Sequence, residues 1–295
     1  MAVPKRIRDY EGRYSFVDGI PFKLPVSATD SPALMAAFPC NYDAALKLMP
    51  GNELFPVRLP NGKAVFIVTI INYVHTTIGK YIEYSLAVAC THGPKPAPRL
   101  LPALFQKFFK TGQFILDLPV STEISVKGGK GIWGMPKHKA NLDFIVTDTV
   151  VSSQYEKDGQ FAFRIEMDRP KRASIHLNIG SINYSHFRNM LMASYIYFDS
   201  KAGINLMSKA QARLYLGDHP KVARLHTLNI EPKALFTAFL PSSHGVLDDH
   251  FECWFVTYKT PETDTSEGLS SVFGLENKEE WLPAPSITDF QRYKL

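Results

Sequence analysis

Along most of this chain, apolar residues either run together in short blocks or alternate with polar ones. Ala64-Val65-Phe66-Ile67-Val68-Thr69-Ile70-Ile71 is rich in β-branched residues and predicts a strand. Tyr81 to Cys90 predicts another, and Phe114 to Leu118 a shorter one. Asn141 to Val150 and Gln160 to Met167 predict strands around the turn signal Lys157-Asp158-Gly159. From Phe163 to Glu166 apolar and polar residues alternate, the pattern of a sheet with one buried face. Val222 to Ile230 and Phe251 to Tyr258 add two strands, while Asn189 to Phe198 fits a buried strand or a helix equally. Asn41 predicts the cap of a short helix through Ala44, Ala45 and Leu48, stopped by Pro50 and Gly51. Met207 to Leu216 predicts a second short helix, ending at Gly217.

The ends differ from this body. The first thirty residues, interrupted by Pro4, Gly12, Gly19, Pro21 and Pro25, predict an irregular arm. Residues 261–268 are polar and turn-rich. The expected organisation is one domain over residues 1–258, arm included. A tail over 259–295 is expected to dock through Trp281, Leu282 and Phe290 onto the body or a neighbouring subunit.

Composition narrows the classes. The 20 Phe and 13 Tyr favour a sheet-rich core. The formal net charge is +5, but beyond Lys5, Arg6 and Arg8 the basic residues are scattered. That argues against a nucleic-acid surface, which needs a concentrated basic face. It is compatible with a small anionic substrate in a field-focusing cleft. Cys40, Cys90 and Cys253 are odd in number and far apart, so no disulfide framework or metal knuckle is expected. The first residues hold no apolar targeting core, and the Ala64–Ile71 strip is too short to span a bilayer. A cytoplasmic protein with no membrane or nucleic-acid partner is the expectation.

The densest chemistry lies in residues 127–140, Lys-Gly-Gly-Lys-Gly-Ile-Trp-Gly-Met-Pro-Lys-His-Lys-Ala. Pro136 restricts the backbone just before Lys137, while Trp133 and Met135 add apolar bulk. Burial among apolar side chains disfavours an ammonium, and a neutral amine can attack a carbonyl carbon. On the residues alone, a turn at the glycines and a solvated loop at Lys-His-Lys are the better reading. The glycine spacing is not that of a phosphate-binding loop, since no Lys-Ser or Lys-Thr ending follows.

The block Gly-Ile-Trp-Gly-Met-Pro-Lys-His resembles the segment that carries the Schiff-base lysine of acetoacetate decarboxylases, with Lys137 in the place of the imine lysine. Gly79-Lys80-Tyr81-Ile82-Glu83-Tyr84 is similar to the family strand bearing an essential glutamate, matched by Glu83. Phe239-Leu240-Pro241 resembles a closing segment. The likeness spans about residues 20–258. It implies an α+β, sheet-dominated fold, a curled or barrel-like antiparallel or mixed sheet with short flanking helices, and a homo-oligomer. It also implies Lys137 and Glu83 as catalytic, with Tyr81 beside Glu83 and with Trp133, Met135 and Pro136 shaping the pocket. No cofactor is implied, because the lysine imine is itself the electron sink.

Three departures qualify the likeness. His138 follows the imine lysine where the decarboxylases commonly carry a second lysine. If it faces inward and charged, it destabilises the Lys137 ammonium; if outward, it is a solvated neighbour and Lys139 shares the Lys137 side. Ile67 and Val68 stand where a second acid is expected, and residues 29–33 supply no arginine. Relatives of this fold catalyse aldol condensation and dehydration of keto acids with the same lysine. Decarboxylation of a β-keto acid is therefore expected. Keto-acid aldolase or dehydratase chemistry is one alternative, and a catalytically silent small-ligand binding protein is another. The remaining histidines show no metal-site spacing, Ser242-Ser243-His244 lacks a hydrolase elbow, and Asp248-Asp249-His250 predicts an exposed polar turn.

Overall fold

The structure, a computed structural model, describes residues 12–99 and 101–257. The expectations for the tail and for the first eleven residues fall outside the described residues.

Part of the expected arm is in fact strand. β1 (Arg13–Val17) and β2 (Ile20–Leu24) pair antiparallel around Asp18 and Gly19, whose φ angles are 50° and 77°. Two central residues with positive φ make the tight hairpin turn that matches strand twist, and Asp-Gly is its signature. The long strand β3 (Val26–Cys40) follows. The first helix, α1 (Tyr42–Lys47), is where Asn41 predicted it, with the Asn41 carboxamide accepting from the Ala44 amide at 2.8 Å.

Next come β4 (Leu54–Pro56), β5 (Ala64–Tyr73), β6 (His75–Thr76), β7 (Tyr81–His92), α2 (Leu101–Leu104) and β8 (Gly112–Val120). Then follow α3 (Glu123–Trp133) and β9 (Lys137–Lys139). The expected Asn141–Val150 strand breaks into β10 (Asn141–Leu142) and β11 (Ile145–Val146). The hairpin partners across Asp158-Gly159 are instead β12 (Val150–Lys157) and β13 (Gln160–Asp168). β14 (Ile175–Phe187) and β15 (Met190–Leu206) settle residues 190–198 as strand, with Asn189 in the turn between them.

Two expectations are overturned. Met207 to Leu216 is one 3-10 turn followed by β16 (Ala212–Leu216), which pairs with β13. Val222 to Ile230 is not a strand: it holds α4 (Ala223–His226), and Val222, Leu225 and Leu228 are buried at every third position. The expected strand does not form because this threefold spacing buries one side of a helical turn. Phe251 to Phe255 ends a much longer strand, β17 (Phe236–Phe255).

Seven strands close a ring in the order β7-β5-β3-β17-β15-β14-β8, with β8 pairing back onto β7. Neighbours are antiparallel except β14 and β8, which run parallel and share only two paired positions. β9 joins the same edge of β8 further along, also in parallel. A second sheet, ordered β10-β12-β13-β16, packs against the outer wall of this barrel.

The alternation of side chains divides two environments. Phe66, Val68 and Ile70 of β5, with Tyr84, Leu86 and Val88 of β7, point outward into the core shared with Tyr155, Phe163 and Ile165 of the second sheet. Ile67, Thr69 and Ile71, with Glu83 and Ser85, point into the barrel lumen. Both faces of β5 are covered, which explains its nearly continuous apolar sequence. Among the described residues, no helix is long and apolar enough to cross a membrane.

Candidate active site

The lysine segment is built by a helix end. Lys127 to Trp133 belong to α3 rather than to a glycine loop. Gly134 has a φ of 60° and ends the helix; its amide donates to the Lys130 carbonyl, and the Met135 amide to that of Gly129. Only glycine adopts this left-handed geometry without steric cost, so the chain reverses here. The Trp133 indole donates to the Asp248 carbonyl at 3.1 Å, anchoring the turn. Asp248 itself is fully buried within β17, so the expected exposed turn at 248–250 does not occur.

Lys137 then opens β9, opposite Leu118 of β8. Its side chain crosses the face of α3. A Cβ on Gly129 would lie 2.3 Å from Lys137 Cδ, so this helix face must be bare for the lysine stem to pass. The residue is 6% exposed. Its Nζ donates to Ser125 Oγ at 3.0 Å and lies 2.7 Å from Glu83 Oε2. It also sits 5.5 Å from the centroid of the Tyr81 ring, which stacks on Tyr73. Burial first, and the Glu83 carboxylate second, hold the Tyr73 and Tyr81 phenols well above the ordinary tyrosine range. Both rings therefore remain protonated donors around the acid.

The lumen behind this amine is a cavity of about 320 Å³, lined from all seven barrel strands. Met35, Ile67, Ile71, Ile115, Phe198 and Leu240 make much of its wall. Among its described lining residues, Lys137 and Glu83 are the charged ones. The site thus brings together a buried amine, a carboxylate in contact with it, and a largely apolar chamber. That combination suits covalent chemistry on a carbonyl compound.

The structure brings together Lys137, Glu83, Tyr81, Trp133 and Met135 around the cavity. Pro136 is not on the wall; it connects the helix end to β9. His138 is not at the amine either. It faces the other side of β9, where Nε2 lies 2.8 Å from Asp117 Oδ1 and 3.4 Å from the Tyr155 hydroxyl. Neither reading of His138 anticipated this: the ring is buried, yet turned away from Lys137. Lys139 is exposed and does not line the lumen.

Two contributors escaped the sequence reading. Ser125 sits one helical turn before Gly129, a spacing meaningful only once 123–133 is read as helix. Tyr73 continues the inward series Ile67, Thr69, Ile71 by two residues.

The acetoacetate decarboxylase (ADC) family model matches residues 11–194, more than half of the 295-residue chain. Among solved structures, the chain is similar to acetoacetate decarboxylase from Legionella pneumophila, with a TM-score of 0.56 and 15% identity over 78% of this chain and 89% of that one. It is also similar to the enduracididine biosynthesis enzyme MppR, with a TM-score of 0.56 and 11% identity over 79% of this chain and 88% of that one. A further MppR structure holds the condensation product of pyruvate and imidazole 4-carboxaldehyde; there the TM-score is 0.53 and the identity 11%, over 79% and 90%. A comparison with curated proteins returned no match. At such identities the structural likeness speaks for the fold, and the family model speaks for descent: the chain belongs to the acetoacetate decarboxylase family.

Proposed function

We propose that the protein is a lysine Schiff-base lyase that decarboxylates a β-keto acid with an apolar body. The observation that carries this reading is the buried Lys137 amine, 2.7 Å from Glu83, at the wall of a largely apolar lumen. Glu83 is within reach to accept a proton from the amine. The free amine adds to the ketone, and loss of water leaves a protonated imine. The bond between the carboxylate and the α-carbon then breaks. Its electron pair moves through the α-carbon to the iminium nitrogen, giving carbon dioxide and an enamine. Glu83, which gave its proton to the departing hydroxyl as the imine formed, takes one from solvent and delivers it to the α-carbon; water then releases the ketone and Lys137.

The apolar walls support the decarboxylation step. A carboxylate in a dry chamber loses its hydration, while the departing carbon dioxide needs none. The volume supports a substrate larger than acetoacetate, since it lies at the lower end of the ~300–1,000 Å³ of sites for drug-sized ligands. A second reading, aldol or dehydratase chemistry on the same imine, is favoured by the room beyond the amine and by the lack of arginine among the described lining residues.

The test is borohydride trapping with a panel of β-keto acids and with pyruvate, followed by peptide mass mapping and measurement of released carbon dioxide. The expected result is covalent mass on Lys137, lost in Lys137→Ala, with carbon dioxide evolved from the β-keto acids. Condensation of pyruvate with an aldehyde, without decarboxylation of any β-keto acid, would favour the second reading. A folded protein that forms no adduct with any of these compounds refutes both.

A further inference from the structure

No arginine among the described lining residues is available to hold a substrate carboxylate. Most polar side chains of the lumen already have partners or lie far from the amine. Tyr73 and Tyr81 interact with Glu83. The Thr76 hydroxyl donates to the Gly79 carbonyl at 2.6 Å. Gln113 Nε2 donates to Asn183 Oδ1 at 2.8 Å, and Gln113 precedes Leu118, the strand partner of Lys137, by about 16 Å along β8 at ~3.3 Å per residue.

Two fully enclosed hydroxyls stand out, while Ser181, which also lines the cavity, is only partly buried. Thr69 and Ser85 both line the cavity, and both oxygens are buried without a hydrogen-bond partner. They are direct partners across β5 and β7, and the next pair on that face is Ile71 and Glu83. Paired positions across strands place Cβ atoms about 5 Å apart, and successive pairs on one face lie about 7 Å apart. An unpartnered buried hydroxyl costs free energy, so two on one rung beside the acid–base group need an explanation. Each reorients by rotation about one or two single bonds.

We infer that Thr69 and Ser85 form the subsite that receives the carboxylate of the β-keto acid, in place of a cationic side chain. This rests on the decarboxylase reading of the Lys137 lumen. Neutral donors orient the carboxylate out of the plane of the imine, where the breaking bond overlaps the electron sink. They do so without cancelling its charge, so the reactant is held but not over-stabilised relative to the transition state.

The experiment compares wild type, Thr69→Val, Ser85→Ala and the double variant, full length and checked by thermal melting. The two readouts are kcat and KM for β-ketooctanoate, and the rate of borohydride trapping with the neutral methyl pentyl ketone. Each single variant is expected to lose about ten-fold in kcat/KM for the acid, and the double variant about one-hundred-fold. Trapping of the neutral ketone should stay within about two-fold of wild type, and Thr69→Ser should retain most acid turnover. The inference is overturned if the double variant decarboxylates as wild type does, or if neutral-ketone trapping falls in parallel with acid turnover. Absence of any adduct in wild type would instead remove the underlying lyase reading, and this inference with it.

Discussion

Substituting Gly129 by alanine isolates the passage that admits Lys137 to the lumen. Gly129 lies within α3, and a Cβ there would sit 2.3 Å from Lys137 Cδ and 2.6 Å from Cε. Ordinary contact begins at 3.4 Å, so the stem must retreat by about 3.4 − 2.3 = 1.1 Å. Alanine favours the helix by about 1 kcal/mol over glycine. Overpacking a filled interior costs about 1–3 kcal/mol, so the net loss of stability should lie between ~0 and ~2 kcal/mol. Displacement of a reacting atom by about 1 Å costs on the order of one-hundred-fold in rate. Gly129→Ala should therefore unfold near the wild-type urea midpoint while borohydride trapping of a β-keto acid slows about one-hundred-fold. The same trapping rate as wild type in a folded Gly129→Ala protein would show that the lysine stem is not confined by α3, and the account of this helix would fail.

Other predictions follow from the same geometry. Glu83→Gln should lower kcat by about 10²–10⁴-fold, because it removes the carboxylate that contacts Lys137 and is proposed to move the protons; steady-state decarboxylation measures this. Asp117→Asn should destabilise folding by about 1–3 kcal/mol in urea titrations, since it weakens buried bonds to His138 and Tyr155, while adduct formation at Lys137 should survive. Burial, with Asp117 adding to it, holds the Tyr155 phenol above the ordinary tyrosine range, so its absorbance should not titrate with that of the exposed tyrosines. Burial likewise pushes the Cys40 thiol up to about 12 and raises Cys90, whereas Cys253 is exposed. A thiolate reagent at pH 8 should label Cys253 in the native protein, and Cys40 and Cys90 only after denaturation.

Local patterns were readable where the cause was local. Asn41 capped its helix because a carboxamide oxygen three residues before a free amide suffices for that bond. The β5 run and the turn at Asp158-Gly159 were likewise legible from neighbours in sequence. The glycines of 127–134 read as a turn in isolation, because nothing in the local sequence discloses what α3 packs against. Gly128 faces Phe22 of β2, Gly129 faces the Lys137 stem and Gly131 faces Val17 of β1, so each small residue answers to a distant partner. Val222 to Ile230 failed for a related reason, since a short mixed segment does not disclose its period until its buried face is known.

The amino-acid sequence by itself determined the chemistry on offer: a lysine after a proline, a glutamate on an alternating strand, and enough apolar strand to enclose them. Tertiary structure alone decided which of these groups meet. Glu83 and Lys137 are separated by 54 positions (137 − 83) and touch only because β7 and β9 lie on opposite edges of β8. His138, one residue from Lys137, is carried to the far face by the strand pleat, because adjacent side chains on a strand point in opposite directions. Proximity in the chain thus fixed the backbone around the lysine, whereas barrel closure fixed its chemical neighbours.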